Sequence, residues 1–498
     1  MSLNLLRRPS VESALAASAD PERSLRRSLT AWDLAVMGVA VAVGAGIFSV
    51  GATAAADYAG PAVIVSFIIA AVVCGLAIMC YAEFASALPI AGSAYTFSYA
   101  TMGEAVAWII GWDLILEMLL GSAVIAKFWG VYLADAFHLF GVDLPSTVHL
   151  GGLRVDWGPL LVVALFTTLL ALGTRLSSRV NAVFTVLKVG ITLFVVVAGF
   201  GYVKAANYHP FVPPSQPSTT GSVLHESLVN WVAGAAPSIY GVSGILGGAA
   251  LVFFAFIGFD VVATTAEETK DPQRTMPRGM LGGLALTTVL YVLVAIVVTG
   301  MVPYTALAAS KSPSLTTAFE LVGADWAGKV ISVGIVLGLT SVLMVLMLGL
   351  TRIVFAMSRD GLLPRALSHT SPRFGTPARL QIGTGVVVAV IAALSQVDLL
   401  EEMINIGTLS AFVLVSFGVV VLRRRRPDLP RGFRVPWSPV LPVLAGVACL
   451  WLMLNLTTLT WLRFLVWLVV GAVVYGTYSY RHSRLHQSGE PAVRQDVG

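Results

Sequence analysis

An all-α membrane protein is the fold class that the sequence predicts, and three observations predict it. Hydrophobic residues fill 57% of the 498 positions and charged residues only 11%, far below the roughly 25% charged content of a soluble domain. Apolar runs of about 20 residues recur along almost the whole chain, each long enough to cross a hydrocarbon core about 30 Å thick. Two of these runs are interrupted near their midpoints, where backbone left unpaired in lipid is tolerated only if it lines a cavity or packs against protein.

The chain opens with a tail, 1–32, that carries arginine pairs at Arg7, Arg8 and Arg26, Arg27 and has no apolar segment of signal-peptide type, so a cytoplasmic tail is expected. Twelve spans then follow at about 33–57, 61–85, 98–133, 157–173, 179–204, 243–267, 279–302, 328–357, 380–396, 403–422, 437–457 and 461–480. The outer connection 205–242 is rich in Pro, Ser and Gly and reads as a connector. Residues 423–480 add a loop and the last two spans, and 481–498 form a second tail expected in the cytoplasm. With both termini inside, inner segments hold 23 of the 31 basic residues, against Arg154, Lys204, Lys311, Lys329 and Arg463 outside. The basic run Arg423–Arg426, directly after a span, then reads as a stop anchor at anionic lipid rather than a nucleic-acid site. Cys74, Cys80 and Cys449 lie inside spans without ligand spacing and read as packing residues, so no metal and no cofactor is expected.

The first span carries "VGAGIF" from Val43, and the sixth carries "FFAFIGFD" from Phe253. Gly44 lies about 11 residues into its span from the inner end, roughly 16 Å deep; Phe254 to Ile257 lie at a similar depth from the outer end. Paired interruptions in two halves of a chain are the sequence signature of inverted repeats around a midplane binding site. Unwinding would free amide groups at Gly44, Ala45 and Gly46 for an anion, and carbonyls of Val43, Phe254, Ala255 and Ile257 for a cation. An α-amino acid carries one of each on adjacent atoms. Taken alone, the Gly-Ala-Gly triplet reads as close helix packing; the second break is what turns the reading toward a site.

Together with "AEETKDPQRTMPRG" after the sixth span and "SRDGLLP" after the eighth, these motifs resemble the APC superfamily, specifically the cationic amino acid transporters and their bacterial relatives, over about residues 28–436. The resemblance implies a leucine-transporter-type five-plus-five inverted repeat, here 33–422, with two additional C-terminal helices. It implies an amino acid as substrate, carboxylate on Gly44, Ala45 and Gly46 and ammonium on carbonyls of Val43, Phe254, Ala255 and Ile257. Protons and the lipid bilayer are the other implied partners; no nucleic acid is, and a small accessory membrane subunit stays open.

Charges inside spans are functional hypotheses by default. Glu117, in the third span, lies at the midplane, where it could close the inner wall of a pocket, attract a cationic side chain or hold neighbours by hydrogen bonds. Lys127, ten residues further out, is expected to snorkel. Lys188, about 14 Å into the fifth span, is too deep for that. The resemblance implies that it occupies the place that sodium takes in related folds, between the first and eighth helices, with Thr340 and Ser341 as matching hydroxyls, and that it carries a coupling proton. The alternative is a structural lysine held by carbonyls or a carboxylate. Asp260 is expected to cap freed backbone, and Glu267, Glu268, Lys270 and Asp271 to form a solvated or gating cluster. Met344 and Met347 are expected near the pocket, favouring small neutral substrates, or as filler.

These features predict a secondary transporter, proton-coupled and working by alternating access, with an exchanger of amino acids or polyamines as the alternative. No ring of charge suggests a channel filter, the seven histidines fall in loops and tails rather than at a reacting centre, and no phosphate-binding loop suggests ATP drive.

Overall fold

The computed structural model describes residues 29–484 except 88–92, 140, 144, 146, 151–152, 174–177, 219–222, 235–237, 264, 311–312 and 372–375. Helices of at least 12 residues are numbered α1 Ala31–Ala42, α2 Val63–Ala87, α3 Glu104–Leu139, α4 Trp157–Ala171, α5 Ser178–Phe200, α6 Gly241–Val252, α7 Pro272–Met301, α8 Asp325–Arg359, α9 Ala378–Leu394, α10 Val397–Arg425, α11 Val440–Leu454 and α12 Thr458–Val474. Among the described residues, eight continuous helical stretches are long and apolar enough to cross a membrane; α1, α4, α9 and α11 are shorter apolar helices. Two small antiparallel ribbons depart from the all-helical expectation: Thr147–Leu150 pairs with Leu153–Asp156 between α3 and α4, and Gln216–Pro217 pairs with Ser238–Ile239 between α5 and α6. Both lie in connections, where loop backbone can pair with itself.

Packing divides the helices into two groups. In one, α7 lies along α1 and α2, and α6 lies against α2; in the other, α3 lies along α8 and α4, while α9 packs on α4 and α5 on α8. Helix α10 touches both, through α3 and α2, as does α5, through α8 and α7, and α11 packs on α10 and α2. A mostly apolar helix buried on all sides has no polar face to orient it, so these contacts are made by shape. Gly158 shows how: its Cα side approaches Gly130 so closely that a Cβ would sit 2.7 Å from that backbone, a separation only small residues permit.

The start of α1 is fixed by a capping box: Thr30 accepts from the Asp33 amide at 3.3 Å, and the Asp33 carboxylate accepts from the Thr30 amide at 2.8 Å. The preceding residue pairs with the loop before α7, Leu29 N donating to Glu268 O at 3.0 Å and Lys270 N to Leu29 O at 2.9 Å. That segment was expected to be a solvated or gating cluster: Lys270 and Asp271 are exposed and Glu268 is half-buried, while the backbone of the segment is tied to the entry of α1; the side chains of Asp260 and Glu267 lie outside the described residues.

Two expectations about charge are corrected. Lys127 does not snorkel: it is buried, its ammonium ion-paired with Asp156 at the entry of α4 and donating to Ala392 O of α9 at 3.0 Å. The depth estimate places it near the outer interface, where α4 brings a carboxylate within reach, and a paired ammonium can stay out of water. The arginine run divides. Arg424 and Arg425 are exposed, as an anchor requires, but Arg423 turns inward and grips the fully buried Glu83 at the end of α2, Nε to Oε1 at 2.7 Å and Nη2 to Oε2 at 2.5 Å. The Val435 amide donates to the same carboxylate at 2.7 Å, and Arg431 stands 3.6 Å from it.

Candidate functional site

Helix α1 stops at Ala42. Val43 leaves the helical region with ψ 95°, and the chain resumes at Gly46–Val50 in a wide, π-type turn. Helix α6 stops at Val252, tightens into the 3-10 turn Phe253–Phe256, and extends at Ile257 with ψ 142° before the short helix Phe259–Ala263. Both breaks fall where the sequence placed them. They also touch. A Cβ on Gly46 would lie 2.3 Å from Ala255 Cα, and one on Gly258, whose φ of +111° already excludes most residues, would lie 2.3 Å from Val41 Cγ1. Gly46 is thus a packing glycine. Gly44 is not: its Cβ would find Val342 at 3.4 Å, an ordinary contact.

Between the breaks lies a small cavity lined by residues of both. Gly44, Ala45, Gly46, Glu117, Phe254 and Ile257 line it, as expected from the sequence, joined by Val41, Ala42, Gly121, Ile125, Val342, Leu346 and Ile404. Glu117, Gly121 and Ile125 are one turn apart, so a single stripe of α3 forms that wall. Val43 and Ala255 stand behind the lining, both buried. The eighth-helix wall is Val342 and Leu346, one turn apart, rather than Met344 and Met347, which are buried elsewhere on α8. Around Val342 to Met347 every face of α8 is apolar, and the hydroxyls of Thr340 and Ser341 bond to their own helix, so its sequence gives little to orient it about its axis.

Lys188 is 1% exposed, and its Nζ donates to Ala40 O, two residues before the end of α1, at 2.6 Å. Among the described residues it has no carboxylate within ion-pair distance. It packs against α8 at Gly338, whose Cβ would meet Lys188 Cγ at 3.0 Å. The expected hydroxyl partners are otherwise engaged: Ser341 donates to Gly338 O at 3.0 Å, and Thr340 donates to Val336 O at 2.8 Å while accepting the indole N–H of Trp129 at 3.1 Å. Lys188 therefore joins α5 to α1 along α8, without a hydrogen bond to either hydroxyl.

Three residues that sequence reasoning passed over hold the breaks. The Tyr291 hydroxyl of α7 lies 2.6 Å from Ala42 O and 2.8 Å from Ala255 O, so one proton serves the last carbonyl of α1 and a carbonyl in the break of α6. Tyr132 of α3 donates to Phe48 O at 2.5 Å and pairs with Ser49 Oγ at 3.0 Å, catching the π-type turn of the first break. Asn405 of α10 donates to Ala250 O and Leu251 O of α6. Each sits inside a span as a neutral polar side chain, with no charge to mark it. Asp113, also passed over although charged, is buried one turn before Glu117 and accepts from Ser410 of α10, away from the breaks.

Chemically, the cavity offers backbone at two helix breaks, one carboxyl group and an otherwise aliphatic wall. The amino acid permease family matches residues 29–477. A methylthioribose transporter of Bacillus subtilis is 39% identical over 97% of this chain and 100% of its own length. A branched-chain amino acid permease of the same organism is 40% identical over 97% and 99%, and the vacuolar cationic amino acid transporter 4 of Arabidopsis thaliana 38% over 85% and 68%. With the match running through both breaks and the cavity between them, this chain belongs to the amino acid permease family of the APC superfamily.

Proposed function

We propose that the chain is a secondary transporter of small neutral amino acids, driven by protons and working by alternating access around the cavity. The observation that carries this reading is the meeting of the two breaks: backbone amides of Gly44, Ala45 and Gly46 on one side, and the Phe254 and Ile257 segment on the other, line one space. An α-carboxylate suits the amides at the start of the outer half of the first span. An ammonium suits carbonyls at the end of α1 and in the break of α6. The substrate side chain then meets Ile125, Val342, Leu346 and Ile404, an aliphatic wall that suits an uncharged group, with Glu117 as the ionisable lining residue.

Lys188 supports the coupling. A buried ammonium that holds α1 through the Ala40 carbonyl, with no carboxylate in ion-pair distance among the described residues, is a group whose proton and whose grip on α1 come and go together. Loss of the proton loosens α1 next to its break, and binding of substrate across the break reorders it. In this reading the five-plus-five repeat covers 33–422, α11 and α12 are additions, the twelve spans are all crossings, and both termini lie in the cytoplasm.

Uptake into proteoliposomes of purified protein, with and without a pH gradient, tests the reading with alanine, leucine, arginine and a polyamine. Alanine or leucine accumulating only with the gradient is the expected result. Exchange of internal for external substrate without net accumulation replaces symport by antiport, and uptake of none of the four ends the amino-acid reading.

A further inference from the structure

Asn405 sits next to Ile404, which lines the cavity, but its side chain turns toward α6. It is fully buried, and Nδ2 donates to Ala250 O at 3.0 Å and to Leu251 O at 3.3 Å. Carbonyls accept only, so the orientation of the carboxamide is unambiguous, with its NH2 group on α6. Ala250 and Leu251 belong to the last turn of α6, among the four carbonyls that a helix end leaves without regular amide partners. Two residues further on the chain tightens into the 3-10 turn, and Phe254 and Ile257 follow in the cavity wall.

We propose that Asn405 is a positioning residue for substrate: its carboxamide sets the point at which α6 stops being helical, and so where the carbonyls of the break face the bound ammonium. The inference rests on the amino-acid reading above. Two observations separate it from a role in stability alone. Oδ1 of Asn405 is buried without a hydrogen-bond partner among the described residues, a burden on the folded state that an apolar side chain would not impose. And α10 has its own apolar contact just beyond the end of α6, Phe412 meeting Phe253 of the 3-10 turn edge-on with ring centroids 5.8 Å apart, so α10 and this segment do not need the amide to stay together.

Alanine and leucine uptake by the full-length protein in proteoliposomes, with thermal unfolding in detergent, provides the test. Asn405→Leu, which keeps the volume and removes both donors, raises KM for both substrates about tenfold, within the range set by the loss of two buried hydrogen bonds, and leaves the maximal rate within about twofold. Asn405→Gln, which keeps the amide, recovers part of the loss. Should the leucine variant fail to insert, Asn405→Ala removes the same donors and carries the same expectation. An inserted Asn405→Leu or Asn405→Ala with wild-type KM overturns the inference, as does a loss confined to thermal stability. Failure of the amino-acid reading is seen separately, in wild-type protein that takes up neither substrate.

Discussion

The two glycines of the first break make opposite predictions, although three residues contain both. At Gly46 a methyl group would lie 2.3 Å from Ala255 Cα and 2.5 Å from its Cβ. Non-bonded carbons rest about 3.5–4.0 Å apart, so Gly46→Ala must push the two breaks apart by roughly 1.5 Å at a contact made of backbone, which cannot rotate away. Overpacking of this kind destabilises by about 1–3 kcal/mol, and a lower apparent Tm in detergent, without substrate, is expected. A Cβ on Gly44 would meet Val342 and Leu339 at ordinary distances, 3.4 and 3.8 Å, so Gly44→Val places its Cβ without the backbone clash of Gly46→Ala and is expected to fold with a smaller loss of Tm. Its methyl groups then stand where a carboxylate must approach the amides. Losing hydrogen bonds to a charged group weakens binding by about 1.5–3 kcal/mol, roughly ten- to a hundredfold in Kd. Scintillation proximity with alanine on purified protein measures that affinity. A well-folded Gly44→Val that binds alanine as wild type does refutes the anion site, and a Gly46→Ala of unchanged Tm refutes the contact.

Lys188→Met is expected to abolish proton-driven accumulation and flatten the pH profile of uptake, while sodium adds nothing to wild type; uptake at several pH values, normalised to inserted protein, checks both, and a sodium requirement in wild type contradicts the coupling. Tyr291→Phe leaves Ala42 O and Ala255 O without their shared donor and should weaken alanine binding about tenfold, seen in the same binding assay; unchanged affinity would mean that the breaks hold their shape without it. In a competition panel, alanine and leucine should outcompete arginine because Val342, Leu346, Ile125 and Ile404 provide no second anion. Arginine winning in wild type, and losing its advantage in Glu117→Gln, would assign Glu117 to the substrate side chain.

What the sequence revealed of the site follows from what each residue had to do. Glycine at mid-span and charge at mid-span are both exceptions in lipid, so the break at Gly44, the break near Ile257, Glu117 and Lys188 were legible, the first three lining the cavity and Lys188 bonded to Ala40 O just before it, although the equally buried Asp113 was passed over. The rotation of α8 was not, because a stretch apolar on every face is equally content with any face inward, and Val342 and Leu346 stand where Met344 and Met347 were expected. Tyr291, Tyr132 and Asn405 were illegible for a related reason: a neutral hydroxyl or amide needs a partner but does not announce one, and its partners here are carbonyls on helices distant in sequence. Lys127 was expected to snorkel and is buried instead, since Asp156 reaches it from the strand before another span. Substrate identity is the least legible of all: relatives near 40% identity bear names as different as a methylthioribose transporter and a branched-chain amino acid permease.

The grip of Arg423 on Glu83 joins positions 340 residues apart, and this separation bears on how the chain is made. Helix α2 is synthesised long before Arg423, Arg431 or Val435 exists, and a lone carboxylate in hydrocarbon is several kcal/mol unfavourable. During synthesis the end of α2 must therefore rest where Glu83 can reach water or headgroups, and only the arrival of α10 and its following loop lets the carboxylate be enclosed. The early and late parts of the chain meet at this carboxylate only once α10 and its loop are made, so Glu83→Gln would relax that order as well as remove an ion pair.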